Sequence, residues 1–172
     1  MSDRAFTIRV AEPADQAAVA SVLEAAFTRL VGIHPSDLFQ SNHGADHWIL
    51  PEVLTSGRFY VAEGAEGVIA CGGWSLDVPG SDERHPGIGY MRDCATHPDH
   101  LRRGAGGAVV ARALADARAA GLTEIRCMSP VSAVKFYTAQ GFAQESQTMI
   151  RMPSGTPTMV AVLACRLDAA SG

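Results

Sequence analysis

The sequence is poor in lysine, in aromatic residues and in positive charge. Lys135 is the single lysine among 172 residues, and only 6% of the residues are aromatic. A Walker phosphate loop needs a lysine after its second glycine, and because Lys135 follows no such loop, that class of nucleotide site is excluded. Eighteen acidic residues against fourteen basic ones give a formal net charge of −4 at pH 7. We therefore expect no nucleic-acid partner and no broad attraction to an anionic membrane.

Long apolar runs and paired cysteine motifs are also missing. No run is long enough to span a bilayer, and no apolar signal region follows Met1–Arg4, so we expect a cytoplasmic protein without a membrane partner. The four cysteines form no C-x-x-C pattern, and each falls on a different predicted strand: Cys71, Cys94, Cys127 and Cys165. This distribution predicts reduced thiols and no metal site.

A regular succession of strand and helix patterns is present. The length and a hydrophobic content of 47% predict one domain over residues 1–172. The predicted strands are Phe6–Val10, Arg58–Glu63, Val68–Leu76, Ile88–Thr96, Thr123–Met128, Phe142–Met152 and Thr158–Leu167. Helices are predicted from Glu12 to Phe27, Ala45 to Leu54, Gly104 to Ala120 and Ser129 to Gln140, with Ser129 as N-cap and Pro130 at the first helical position. This order predicts an α/β (α+β) protein with a mixed sheet of about seven strands and helices on both faces.

The segment Ala95–Val110 combines a predicted strand end, a turn at Pro98, two arginines and a glycine-rich helix start. Gly104 and Gly106 leave backbone N–H groups uncovered, and the start of the helix adds further free donors and a partial positive charge. These features predict an anion site suited to a phosphate or pyrophosphate. A dinucleotide fingerprint would need a small residue where Val109 stands. A plain helix entry, with glycines for turn geometry and arginines for solubility, is the remaining alternative.

Two stretches in this order resemble the signatures of the GNAT acetyltransferase superfamily. Leu101–Gly106, with the sequence Leu-Arg-Arg-Gly-Ala-Gly, is similar to the family's acyl-coenzyme A motif, although Leu101 replaces its Gln or Arg. Phe136–Phe142, with the sequence Phe-Tyr-Thr-Ala-Gln-Gly-Phe, resembles the second signature. The resemblance extends over roughly Arg58–Arg166. It implies a GNAT-like sheet that splays between its fourth and fifth strands, with acetyl-CoA or coenzyme A as cofactor.

The resemblance also implies where that cofactor would bind. The pantetheine arm would lie in the splay like an extra strand, because main-chain groups of the fourth strand can pair with its amides. The implied cofactor-binding residues are Cys94, Ala95, Thr96, Leu101, Arg102, Arg103, Gly104, Ala105, Gly106, Gly107, Ser129, Ser132 and Tyr137. Ser129 or Ser132 would replace the hydrogen bond of an Asn that the family often has where Pro130 stands.

Transfer of an acetyl group to an amine needs a neutral amine, N–H donors for the thioester oxygen and a proton for the departing thiolate. Tyr137 occupies the position that the family often uses for the general acid. Asp93 is a candidate base or anchor for a relaying water, provided that a bulge turns it into the site, since Arg92 stands where the family often has Glu. Glu63, at a strand end, is a further candidate base. The thioester oxygen is expected to take a strand N–H near Cys94 or Ala95.

The function implied is an N-acetyltransferase that moves the acetyl group to a primary amine of a small molecule or a peptide. The alternative is a degenerate acyl-CoA-binding sensor without turnover, and the replacements Leu101, Arg92 and Pro130 are its motive. A generic nucleotide-binding domain is a third possibility. We expect the acceptor to be enclosed by the segment from His34 to Trp48, by Trp74 and by the Pro153–Pro157 turn. His43, Asp46 and His47 fit no metal motif, and many relatives in the family form homodimers.

Overall fold

A computed structural model describes residues 5–32, 49–152 and 154–168. Its strands are β1 (Phe6–Val10), β2 (Phe59–Gly64), β3 (Gly67–Ser75), β4 (Ile88–Thr96), β5 (Glu124–Pro130), β6 (Ala143–Arg151) and β7 (Pro157–Arg166). Its α-helices are α1 (Gln16–Ala26), α2 (Pro51–Leu54), α3 (Ala105–Ala119) and α4 (Val134–Ala139). The seven strands form one sheet in the order β1-β2-β3-β4-β5-β7-β6. The predicted mixed sheet is therefore confirmed.

Only the central pair of the sheet, β4 and β5, is parallel. This pair is in register at Ile88 with Glu124, Gly89 with Ile125 and Tyr90 with Arg126, and the ladder ends there. Beyond it β4 continues along β3, whereas β5 continues along β7 as far as Pro130. The two strands therefore separate after Tyr90 and Arg126, and the predicted splay is confirmed. We call this separation the fork.

Hydrophobic side chains of alternate strand residues supply two cores on opposite faces of the sheet. On β2, Tyr60 and Ala62 pack into the core beneath α3, while Phe59 and Val61 pack into the core beneath α1. The α3 helix contributes Val109, Val110, Ala113, Leu114 and Ala117, and the α1 helix contributes Val19, Val22, Leu23 and Ala26. These spacings of three and four residues place one apolar stripe of each helix on the sheet. Helices therefore cover both faces, as predicted.

The helix start predicted at Ser129 is wrong, and the start predicted at Ala45 lies outside the described residues. The helix predicted from Ala45 begins, within the described residues, only at Pro51, because Leu50 is extended (φ −65°, ψ 132°) as residues before proline prefer. Ser129 is not an N-cap. It pairs with Ala161 of β7 while Pro130 pairs with Val160, so β5 runs through both residues and Pro130 itself precedes the turn into α4.

No helix among the described residues is both long and apolar enough to cross a membrane.

Candidate functional site

A bulge interrupts β4 just after the fork opens. Cys71 of β3 pairs with Ala95, but Gly73 pairs with Arg92, so two β4 residues, Asp93 and Cys94, lie opposite the single residue Gly72. Asp93 has a positive φ of 48°, a conformation that aspartate tolerates better than most residues. A bulge withdraws peptide groups from the ladder and turns side chains away from strict alternation. The bulge that the interpretation of Asp93 required is therefore present.

Gly72 is the residue of β3 that makes room for this bulge. A Cβ atom at Gly72 would lie 2.5 Å from the Cys94 Sγ and 3.2 Å from the Cys94 Cα. Real Cβ atoms do not approach other atoms so closely, so any side chain here would displace the bulged segment. The glycine on β3 and the bulge on β4 are thus parts of one local arrangement.

The chain after β4 turns back towards α3 through a short helical turn at Pro98–His100. The backbone N–H of His97 donates to the carbonyl of Ile69 on β3 (2.9 Å), and the Nδ1 of His97 accepts from the backbone N–H of Asp99 (3.2 Å). The Asp99 carboxylate in turn binds Arg29 at 3.1 Å. These contacts give His97 a structural role and fix the direction in which the glycine-rich loop leaves the sheet.

The loop itself has the backbone geometry of an anion site. Arg102 and Gly104 both have positive φ, 63° and 81°, and α3 begins directly after them at Ala105. The N–H of Ala108 donates to the carbonyl of Gly104 (3.0 Å). The amides of the helix before Ala108 therefore have no acceptor within the helix, and alternating conformations of this kind aim neighbouring amides at one point. The exposed side chains of Arg102 and Arg103 add positive charge.

The two glycines of the motif differ in what surrounds them. Gly104 faces open space, since a Cβ atom there would have no neighbour within 4 Å, and its positive φ explains why glycine suits the position. A Cβ atom at Gly106, by contrast, would lie 2.5 Å from the Thr96 Oγ1 and 3.5 Å from the Phe136 ring. Gly106 therefore permits α3 to approach the end of β4 and α4. A larger residue here would disturb packing before it could reach a ligand.

Tyr137 lies on α4 with only 7% of its surface exposed. Its ring packs edge-on against Phe136 and Phe142, with centroid distances of 5.1 and 5.4 Å. Its hydroxyl lies beside the thiols of Cys94 on β4 and Cys127 on β5, and interacts with both. The residue therefore lies inside the fork, in contact with both strands that diverge there.

Burial keeps all three of these groups protonated. It raises the pKa of the Tyr137 hydroxyl well above its usual value of 10.0, and the neighbouring thiols of Cys94 and Cys127 act in the same direction. Burial likewise raises the pKa of Cys94, and raises that of Cys127 to about 12. At neutral pH the fork is consequently lined by uncharged O–H and S–H groups, and Tyr137 retains a proton that it can donate.

The remaining predicted site residues are spread more widely. Ser129 is 2% exposed on β5, and its hydroxyl donates to the carbonyl of Pro130 (3.1 Å). Ser132 is exposed in the turn before α4. Glu63 lies on β2, two strands from β4, and its carboxylate binds the Arg9 guanidinium at 2.8 Å. The structure thus brings Tyr137, Cys94 and the bulge together, but it does not bring Glu63 to them.

The family model described as "Acetyltransferase (GNAT) domain" matches residues 55–144, which is more than half of the chain. The chain belongs to the GNAT acetyltransferase family. No curated protein sequence matches it. The bulge, the loop and Tyr137 therefore lie within a GNAT domain, and the fork separates the strands that precede the two GNAT signatures.

Solved GNAT-like structures share the fold at low sequence identity. A Salmonella typhimurium protein solved with its cofactor acetyl-CoA has a TM-score of 0.69 and 17% identity, covering 98% of this chain and 97% of its own. The ribosomal-protein alanine N-acetyltransferase of Escherichia coli has a TM-score of 0.64 and 15% identity, covering 96% of each chain. N-acetylglutamate synthase from Neisseria gonorrhoeae, complexed with coenzyme A and N-acetyl-glutamate, has a TM-score of 0.67 and 16% identity, covering 95% of this chain and 35% of its own.

The expected acceptor region of this GNAT domain is only partly described. The segment from His34 to Trp48, including His43, Asp46 and His47, lies outside the described residues, as does Pro153. The expectation for Trp74 is wrong. Its side chain is 3% exposed in the core beneath α3, its Nε1 donates to the Tyr60 hydroxyl (3.2 Å), and the Arg58 guanidinium lies over its ring. Strand alternation directs it into that core, together with its β4 partner Met91.

Sequence reasoning also missed the thiols that surround the Tyr137 hydroxyl. Cys94 was expected to contribute its main chain, and Cys127 was expected only to be a buried thiol. Their placement on the two strands that diverge at the fork was the available signal, because both strands precede GNAT signatures. Among the residues that the structure describes, no group of three or more His, Cys, Asp or Glu side chains could hold a metal ion.

Proposed function

We propose that this GNAT domain transfers an acetyl group from acetyl-CoA to the primary amine of a small molecule or a peptide. The observation that carries the proposal is the fork itself. An amide-rich loop lies at its open end, a bulged strand forms one wall, and the protonated hydroxyl of Tyr137 lies inside it. In the proposed reaction the loop would bind a phosphate, the bulged strand would bind the carbonyl oxygen and Tyr137 would supply a proton.

The loop would hold the pyrophosphate of the cofactor. The free amides between Leu101 and Gly107 and the positive end of α3 provide donors and a favourable potential for its negative charge. Arg102 and Arg103 add charge from exposed side chains. The pantetheine arm would then run back along Thr96, Ala95 and Cys94, whose edge no longer pairs with β5. Relatives solved with acetyl-CoA or coenzyme A support this arrangement.

The bound thioester would supply an activated acetyl group, and residues of this chain would control the charges that develop. In the proposed arrangement, a peptide N–H of the bulge near Cys94 or Ala95 would donate to the thioester oxygen. Tyr137 would donate its proton to the departing thiolate and would be reprotonated from solvent between turnovers. Because burial raises the pKa of Tyr137 well above 10.0, the hydroxyl remains loaded with its proton over the physiological pH range.

Asp93 and Glu63 were the sequence candidates for the base. Asp93 lies on the bulge and is half-buried, so its carboxylate belongs to the same local structure as the proposed oxyanion donors. Glu63 is held by Arg9 on the other side of β3, so we leave it out of the proposed machinery. The proposed acceptor is the primary amine of a small molecule or a peptide, and no narrower class is proposed.

Calorimetric titration with acetyl-CoA, coenzyme A and ATP tests the cofactor site. Arg103→Glu should weaken binding of both coenzymes about tenfold, because charge-assisted hydrogen bonds contribute roughly 1.5–3 kcal/mol. Arg118→Glu is the matched control, since it makes the same charge change at the opposite end of α3. Equal weakening by both variants would contradict a site on the loop, and preference for ATP would favour a generic nucleotide-binding domain.

An acyl-CoA-binding module without turnover is the second candidate. The observation in its favour is Pro130, which lies at the N-cap of the turn into α4 and offers neither an N–H nor a polar side chain. Release of the free thiol of coenzyme A, measured with pooled primary amines, separates the two candidates. Tight acetyl-CoA binding without amine-dependent release would favour the binding module.

A further inference from the structure

A cavity of about 270 Å³ opens where β4 and β5 begin to diverge. Met91 and Cys127, the first residues after the last pair of this ladder, line it together with Tyr90 and Arg126 of that last pair. The thiol of Cys127 also interacts with the hydroxyl of Tyr137. Cys127 therefore contacts both the cavity and Tyr137, the proposed general acid.

The loop between β3 and β4 closes one side of this cavity, and two of its side chains form a polar chain with Tyr90 of β4. The Tyr90 hydroxyl lies 2.6 Å from the Nδ1 of His85, and the Nε2 of His85 lies 3.0 Å from a carboxylate oxygen of Glu83. All three residues line the cavity. Tyr90 is 8% exposed, whereas the side chains of His85 and Glu83 are 43% and 63% exposed. The chain thus leads from a buried hydroxyl to solvent.

The backbone holds this loop in place on both sides of His85. The N–H of Val78 donates to the carbonyl of Glu83 (2.8 Å), and the N–H of Ile88 donates to the carbonyl of His85 (3.1 Å). Asp77 and Arg84 form a β-bridge and an ion pair across the same loop. The relative positions of Glu83, His85 and Tyr90 are therefore set by the fold.

The hydrogen-bond partners define the roles of the two imidazole nitrogens. A carboxylate only accepts hydrogen bonds, so the Nε2 beside Glu83 carries the proton of the neutral ring. The Nδ1 is then an acceptor, and the Tyr90 hydroxyl donates to it. This arrangement leaves the Tyr90 oxygen with lone pairs that can accept a hydrogen bond from a group in the cavity.

We infer that the Glu83–His85–Tyr90 chain accepts the proton of the acceptor amine. The inference rests on the proposed function and names its proton acceptor. Tyr90 lies on the face of β4 opposite Met91, away from the core beneath α3, and Tyr137 lies within that core. The amine would thus lose its proton on one side of the fork while the thiolate gains one on the other. That separation suits a reaction whose attacking and leaving groups are on different sides of the carbonyl carbon.

The proton balance closes within the three residues and solvent. Before the attack, the ammonium form of the acceptor loses one proton to the Tyr90 oxygen, and the original hydroxyl proton passes to the Nδ1 of His85. The second N–H proton, which the nitrogen loses after it attacks the thioester carbon, leaves to water. The product is a neutral tyrosine and an imidazolium whose charge Glu83 stabilises. His85 then releases one proton to water through its exposed side. No oxidant, metal or further reactant is needed.

Two nucleophiles of different basicity test the inference. Ethylamine is almost entirely protonated at pH 7 and must lose a proton before it attacks, whereas hydroxylamine is largely neutral at that pH. Acetyl transfer from acetyl-CoA to each would be followed by release of the coenzyme A thiol for wild type, Tyr90→Phe and His85→Gln. Tyr60→Phe is the matched control, because it removes another buried tyrosine hydroxyl, one that accepts a hydrogen bond from Trp74.

We expect Tyr90→Phe and His85→Gln to lower kcat with ethylamine by about 10²–10⁴-fold, the range for loss of a proton-transfer group. With hydroxylamine the loss should be under about tenfold, and the KM for acetyl-CoA should not change. Tyr60→Phe should lower the Tm without altering the ratio of the two rates.

Three results would overturn the inference. Equal losses with both nucleophiles would mean that the chain only supports the structure. Wild-type rates in both variants, with a selective loss of ethylamine transfer in Asp93→Asn, would assign the base to Asp93. If wild type binds acetyl-CoA but acetylates neither nucleophile, the proposed acetyl transfer itself fails, and the proton relay fails with it.

Discussion

The two halves of β4 belong to one strand but have different surroundings. All three residues of its first half, Ile88–Tyr90, pair with β5, and Tyr90 also pairs with Ser75 of β3. Its second half begins at Met91, loses β5, takes a bulge at Asp93 and ends in the amide-rich loop. The first half is held in the parallel ladder, whereas the second half has one side that no longer pairs with β5, has a positive φ at Asp93 and leads into the amide-rich loop.

The difference shows how one strand can be both scaffold and site. The three residue pairs between β4 and β5 fix the direction of both strands before they separate. Everything proposed to contact the cofactor lies after that point, on the second half of β4, in the loop and the start of α3 that follow it, or on α4, which follows β5. The first half therefore fixes the position of the second half, whose side towards β5 is available to a ligand. Substitutions in the two halves should consequently have different effects.

Tyr137→Phe should have the largest effect, because it removes the proposed proton donor of the open half. We expect kcat to fall by about 10²–10⁴-fold while acetyl-CoA affinity stays near the wild-type value. A matching fall in kcat/KM would identify an interaction that is made only in the transition state. Steady-state kinetics and calorimetry measure the two quantities.

Cys127→Ala is the control for Tyr137→Phe, since it removes a thiol that contacts the same hydroxyl and leaves the hydroxyl in place. It should reduce kcat far less. If Tyr137→Phe lowers the Tm and leaves turnover unchanged, the hydroxyl is a structural group held by Cys94 and Cys127, and the catalytic proposal for Tyr137 is wrong.

Gly72→Ala should have the second largest effect, because its Cβ would displace the bulge. The atom would lie 2.5 Å from the Cys94 Sγ and 3.2 Å from the Cys94 Cα. Overpacking of this kind costs about 1–3 kcal/mol, and a displacement of about 1 Å at a reacting centre can lower the rate about 10²-fold. Activity and thermal unfolding measured on the same variant test both effects.

The double variant Gly72→Ala/Cys94→Ala separates packing from backbone displacement. It removes the Sγ atom but leaves the contact with the Cys94 Cα. We expect partial recovery of Tm and little recovery of kcat. Full recovery of both Tm and kcat would show that Gly72 makes room only for the Cys94 thiol and not for the bulged backbone.

The extent of β4 and the loop that follows it could be predicted from the sequence, whereas the local departures from the regular strand could not. The first and last residues of β4, the loop and the position of Tyr137 followed from strand pattern and from the two GNAT signatures. The bulge did not, because alternation along Arg92–Cys94 gives no sign of an extra residue. The N-cap at Ser129 and the place of Trp74 beside the acceptor were wrong, since pairing with β7 in one case and packing beneath α3 in the other overrides local preference.

Two glycines of the first GNAT signature have different structural roles that the sequence does not distinguish. Gly104 and Gly106 look alike in the motif, yet only Gly104 faces open space with a positive φ. Gly106 packs on Thr96, a contact between residues ten apart in the chain that no local pattern reveals. The Glu83–His85–Tyr90 chain was missed for the same reason, because a polar loop with Pro79 and Pro86 gives no indication of which side chains meet.

Gly89→Ala should have a smaller effect, on stability and not on cofactor binding, because it lies in the paired half, which the cofactor is not proposed to contact. Its Cβ would lie 2.7 Å from the Cδ1 atoms of Ile125 and Leu122, which are the flexible ends of side chains. We expect a loss of about 1 kcal/mol and a decrease in Tm of roughly 2–4 °C for a chain of this length. Acetyl-CoA affinity should not change.

Ile125→Val provides the partner for a double-mutant cycle with Gly89→Ala. It removes the Cδ1 atom that the new methyl group would meet, so the two changes together should be less destabilising than the sum of their separate effects. Strictly additive changes in the free energy of unfolding would show that residues other than Ile125 accommodate the new methyl group. A selective loss of acetyl-CoA affinity would break the distinction between the two halves.

The smallest expected effect is a loss of stability at alkaline pH that originates in the open half. Burial raises the pKa values of Tyr137, Cys94 and Cys127 above their usual values of 10.0 for tyrosine and 9.0 for cysteine. In the unfolded chain these groups ionise near the usual values, while in the folded chain they stay protonated. The folded state then binds more protons than the unfolded state, so the free energy of unfolding decreases as pH rises above about 9. Below that pH these groups should add no pH dependence.

Thermal unfolding from pH 8 to pH 10.5 should therefore show a decrease in Tm that is shallower in Tyr137→Phe and Cys127→Ala than in wild type. Ile125→Val, which changes the paired half and removes no titrating group, should keep the wild-type slope. An unchanged slope in Cys127→Ala would mean that its thiol reaches solvent in the folded protein, and the fork would then be wetter than the burial of Tyr137 indicates.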